Sequence, residues 1–518
     1  MQEFELPVRK TLTQGLRPRS DTGRNKDFLA QCQYMKPLSV GLRSCADCVN
    51  PFADSLFYEW PFPQLIRTAS ETLLIYADEV YPVIEYTDQA WVVGGKYTTY
   101  DLNDPAVKLS IIKDGVWHCA DLGAGWLLFN GTSVVFKLGT ETMFDEEAIV
   151  YVQDSVSVLT GCASRGRLLL GGFTPSALFS GVWQAVWGKY LSSLPYSIST
   201  DLGAIGANYV YWSTIGGGDV LLPFAAELAK DGLIKEDKPD EYDEEFFLEL
   251  FKRNELGFMP MPWQGSVLCV KPLGKGVAVY GTDGIAVLIP ALEPYPTYGL
   301  QRVADFGIAS RGAVGGDERG HILVDIIGNA WSLGADYSLQ KLGYKEYIGT
   351  LLDSDIVILK NAEYEEFFIS GSSASFVLTP QGLGETPQQI TGACNVEGSF
   401  YGVFNTPKKT DAIIVTDNID FNYRDLKTIT TVEVGCNAEA LVYVAIDYKY
   451  DKQNTWQRSP WVLVNSEGFA RVQITALDFR IAVKCDSYKG FELDYINVRW
   501  QTAGRRTVRG LSANTANT

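Results

Sequence analysis

The sequence predicts an all-β chain: a β-propeller-like core, a C-terminal antiparallel β-sandwich and a small helical acidic insertion. Three observations lead there. Residues 125–139, 276–290 and 320–334 each hold an apolar run, a tight turn and a second apolar run. The turns are Asn130-Gly131, Asp283-Gly284 and Gly328-Asn329, residue types that tolerate the backbone angles of a two-strand reversal. A looser copy spans Asp355 to Thr379. The turns near 283, 328 and 371 lie 43 to 45 residues apart, about the length of a four-stranded propeller blade. Finally, apolar and polar residues alternate cleanly over 430–436, 441–450, 469–485 and 491–500, the pattern of strands with one face buried.

The bulk figures agree with a large folded protein. At 518 residues the chain exceeds one typical domain, and its 46% hydrophobic and 20% charged content is ordinary for a globular fold. Forty-nine Gly and 22 Pro supply turns, while only five Met and many aromatics lean towards strands. The net charge of −18 is uneven. Arg9, Lys10, Arg17, Arg19, Arg24 and Lys26 outnumber Glu3, Glu5 and Asp21 at the start, and Arg499, Arg505, Arg506 and Arg509 stand without acids at the end. The body between is more acidic than the whole. That argues against coating nucleic acid, whose non-specific affinity comes from phosphate attraction.

Nine cysteines, an odd number set mostly in apolar strand-like runs, read as reduced buried thiols of a chain made in a cytosol. The opening residues carry acids where an export signal needs a basic patch, and no apolar run is long enough to span a membrane.

Residues 1–60 have little periodicity and read as an extended N-terminal arm. Residues 61–223 form the first part of the propeller, with strand candidates at 71–77 and 89–94 and a further strand pair over 155–173 that turns at Arg165-Gly166. Residues 175–190 carry apolar groups at helical spacing. Residues 224–258 are an acidic insertion holding 11 acids and five bases, with Phe246, Phe247, Leu250 and Phe251 on one helical stripe. Its acids Asp240, Glu241, Asp243, Glu244 and Glu245 are the candidate subunit or partner contact. Residues 259–424 complete the propeller, 425–505 form the sandwich and 506–518 are a basic flexible tail.

Chemical motifs are sparse, and no catalytic, cofactor-binding or metal-ligating residue is assigned. His118 and His321 are over 200 residues apart, each in a strand-like run, and read as half-buried side chains rather than catalysts or ligands. Cys45 and Cys48 form a lone C-x-x-C without the second ligand pair that zinc needs. The segment from Asp417 to Asp425 has the acids of a calcium loop but lacks its central Gly and terminal Glu, so it reads as a polar strand connection. Trp456, Trp461 and Trp500 offer a sugar platform or, more simply, core packing.

Four segments carry a family likeness. Residues 12–21 (Leu12 to Asp21), the Pro-rich 50–67, the hairpin 163–173 and the ending 493–510 resemble the tail hub, nozzle and stabilisation proteins of short-tailed bacteriophages. The acidic insertion has no counterpart there. The resemblance implies a β-propeller subunit that assembles into a homo-oligomeric ring, such as a hexamer, walling the DNA-ejection channel. It implies partners among other tail proteins (an adaptor, fibres or spikes), passage of viral DNA without specific binding, and no catalysis. The expected location is the virion tail, assembled in the bacterial host cytoplasm, with the N-terminal arm bracing an adjacent subunit. The rival reading is a propeller that binds or depolymerises host-surface carbohydrate.

Overall fold

A computed structural model describes residues 6–11, 14–19, 28–45, 48–52, 63–76, 79–85, 91–101, 116–123, 125–137, 150–154, 158–173, 207–213, 215, 234–235, 238–242, 257–291, 297–405, 410–421, 423, 425–450 and 455–503. The fold is all-β. Among the described residues the α-helical content is one turn, Lys345–Ile348, continued by a 3-10 turn at Gly349–Leu351.

Each predicted hairpin is present. Trp126–Phe129 pairs with Ser133–Lys137, Gly276–Gly281 with Ile285–Pro290, and Gly320–Val324 with Ala330–Gly334. The Arg165-Gly166 turn has φ of 52° and 72°, both positive, the reversal whose twist matches the strands it joins.

These hairpins extend into consecutive antiparallel sheets. The first four-stranded sheet runs Gln64–Arg67, Thr72–Tyr76, Glu79–Ile84 and Val92–Val93. The second runs His118–Asp121, Trp126–Phe129, Ser133–Lys137 and Val150–Asp154, with Thr99–Asp101 added in parallel. The third is Val158–Ser164, Arg167–Phe173, Tyr209–Trp212 and Gly257–Pro260. Val267–Leu273 opens the fourth, Val314–Asp317 the fifth and Val357–Asn361 the sixth. A hairpin of Gln389–Val396 and Ser399–Asn405 forms the seventh, and Val49 from the N-terminal arm bridges Tyr401 in parallel on its outer side.

The opening strands of these sheets pack side by side into a ring. From the second sheet to the seventh each touches the next, and Gln389–Val396 returns to Gln64–Arg67. The ring closes where the Trp117 N–H donates to Gln64 Oε1 at 3.0 Å. At the seam between seventh and first blades the backbones approach so closely that a Cβ at Gly392 would meet the Leu65 nitrogen at 2.2 Å. Among the described residues the propeller therefore has seven blades.

The C-terminal sandwich is also present, and it recruits strands from outside 425–505. One sheet holds Met35–Pro37, Leu42–Ser44, Glu492–Thr502, Lys427–Asn437 and Phe469–Ala476, with Leu6–Thr11 paired along Glu492–Thr502. The other holds Leu29–Gln33, Ala412–Thr416, Asp478–Cys485 and Val442–Lys449, and joins the sixth blade through the pairing of Gln33 with Glu385. Ile429, Val432, Val444, Ile481 and Val483 fill the space between the sheets, in one core continuous with Ile358 and Ile369 of the sixth blade. The described part of the arm is thus woven into its own chain's sheets.

Within the insertion the described residues are strands. Ile234–Lys235 pairs with Lys238–Tyr242 in a two-stranded sheet, and Gly257–Pro260 completes the third blade. Pro239 supplies no amide donor and disfavours a helix interior, whereas an edge strand tolerates it. Asp240 and Glu241 lie on that strand. Asp243, Glu244 and Glu245, the apolar stripe at 246–251, the expected helix at 175–190 and the tail at 506–518 lie outside the described residues.

Candidate functional site: the axial cavity

The seven inner strands surround a cavity of about 620 Å³ on the ring axis. Every blade contributes to its wall, and the polar groups come from Arg67, His118, Lys271, Asp317, His321 and Asn395 among others.

Arg311 braces the ring near the end at which the inner strands begin. It sits on the connection into the fifth blade, yet its Nε donates to the Leu159 carbonyl at 2.8 Å in the third blade. One Nη donates to the Phe129 carbonyl at 3.1 Å in the second blade, and the other to the Asn130 carbonyl. The side chain therefore joins blades that are not neighbours. Burial lowers its pKa to about 10.

His118 continues this bracing. The Val270 N–H donates to Thr160 Oγ1 at 3.0 Å, the Thr160 hydroxyl donates to His118 Nδ1 at 2.8 Å, and His118 Nε2–H donates to the Arg311 carbonyl at 3.1 Å. Four blades are tied by this one chain of bonds. Burial, then the positive charge of Arg311 and Lys271, holds His118 well below the ordinary histidine value.

His321 stands nearer the opposite end. It is 1% exposed, and the Tyr280 hydroxyl donates to its Nδ1 at 2.6 Å. The backbone of Pro272 also meets the imidazole. Burial and nearby Lys271 push His321 down to about 3. At the rim, Asp317 is held by Lys360 Nζ at 2.9 Å, and Lys360 also meets Glu365 at 2.8 Å. Arg67 is paired with Glu85.

Both histidines are neutral in the folded protein, while the unfolded chain protonates them below about pH 6.5. The unfolded state then binds more protons, so stability rises with pH through this window and is lost on acidification towards the folded value. For His321 the expected loss between pH 8 and pH 5 is about 2 kcal/mol. Urea unfolding across pH 5 to 8 measures it: His321→Gln should flatten the pH dependence, and an unchanged slope would refute the assignment.

The remaining sequence candidates lie away from the cavity wall. Cys45 and Cys48 are buried against Phe368, Ile390 and Phe400, where the arm meets the sixth and seventh blades. Seven of the nine cysteines are buried. Asp417 is a fully buried strand connection 3.8 Å from both Arg17 and Arg480. Trp500 packs in the core against Phe421 and Tyr423. Trp456 carries Arg480 and Lys449 over its ring, and Trp461 carries Arg458. No group of three metal-ligating side chains occurs among the described residues, and none of their helices is long and apolar enough to cross a membrane.

Sequence reasoning missed the cavity, and with it the placing of His118 and His321 on its wall. The residues come from segments tens of residues apart, each with an unremarkable local pattern.

No family model and no curated protein matches the sequence. Among solved structures, the chain is similar to PorZ, a surface component of the type-IX secretion system of Porphyromonas gingivalis. The identity is 11%, with coverage of 77% of this chain and 45% of that one and a TM-score of 0.30. The chain thus spans less than half the length of PorZ. It is also similar to BamB from Moraxella catarrhalis, at 11% identity over 66% of this chain and 90% of that one, TM-score 0.29. For AztD from Citrobacter koseri the figures are 11%, 72%, 96% and 0.33.

Proposed function

We propose that the chain is a structural subunit of a bacteriophage tail, a hub or nozzle protein whose copies form a ring around the DNA-ejection path and anchor fibres or spikes. The observation that carries this reading is the resemblance of the four segments named above. Their described parts hold structural joints. Leu16 bridges both Leu29 and Leu383 where arm, sandwich and sixth blade meet, the 163–173 hairpin is the inner part of the third blade, and 492–502 is the central strand of one sandwich sheet.

A conduit in this reading is walled by the copies of the chain that form the ring. The acidic body then faces DNA with like charge, which disfavours adhesion during passage. Partners in this reading are the adaptor and fibre or spike proteins of the tail, and assembly takes place in the host cytoplasm.

Light scattering of the purified chain, followed by electron microscopy, tests the proposal. The expected result is a closed ring with a mass several times 57.2 kDa, and density at a tail tip. A monomer at micromolar concentration that also fails to bind tail proteins would overturn it.

A further inference from the structure

We draw no further inference here: the strongest candidate, the exposed apolar turn at Ile326 and Ile327 on the fifth blade beside Leu352, is an unpartnered surface patch, and nothing in the structure shows what covers it.

Discussion

Glu366→Ala is expected to lower the unfolding free energy by about 3–5 kcal/mol, the cost of leaving one charge of a buried ion pair without its partner. Lys36 Nζ lies 2.6 Å from Glu366 Oε1, with Lys36 5% and Glu366 1% exposed. The pair fastens the arm strand Met35–Pro37 to the sixth blade, and Lys36 also lies over the Tyr364 ring at 5.3 Å. Urea denaturation measures the loss. The double variant Lys36→Met, Glu366→Leu should recover most of it, because two apolar groups of similar size leave no buried charge. A single-variant loss below about 1 kcal/mol would show that water reaches the pair and screens it.

Arg311→Met should be the other severe substitution, destabilising by about 3 kcal/mol. Its guanidinium serves the carbonyls of Phe129, Asn130 and Leu159, and removing a charged donor from buried acceptors costs about 1–3 kcal/mol for each group left unmade. Methionine keeps much of the apolar stem, so the loss reports the hydrogen bonds more than the volume. Because the side chain ties the fifth blade to the second and third, hydrogen exchange should quicken in 126–137 and 158–164 and stay slow in the sandwich. Uniform protection equal to the wild type would sink the bracing role.

Much of the propeller was legible because its turns are written in residue chemistry. Asn130-Gly131, Asp283-Gly284 and Arg165-Gly166 announce reversals between apolar runs without reference to anything distant. The strands Lys427–Asn437, Val442–Lys449 and Phe469–Ala476 were legible through alternation, since each has one face on the sandwich core. The N-terminal arm was not. Met35, Lys36 and Pro37 are all buried, so the strand has no polar face to betray its period. Its partners are also remote: Leu42 pairs with Leu493 and Lys36 with Glu366. The seventh blade hid for another reason, its turn being made by Glu397 and Gly398 at φ of 50° and 86°, with Glu an unusual residue for a left-handed position. The cavity was illegible in principle, because its wall is a set of short contributions from every blade.

The pairing of Leu6–Thr11 with residues 495–500 carries a consequence for synthesis. Among the described residues Leu6–Thr11 has no partner until Glu492–Thr502 has been translated, and Leu29–Gln33 waits for Ala412–Thr416 in the same way. Several unpaired strand edges are therefore carried through most of elongation, when intermolecular pairing competes with folding. Folding should be slow and sensitive to crowding of nascent chains, and lower growth temperature or a holdase chaperone should raise the soluble yield more than any change of surface charge.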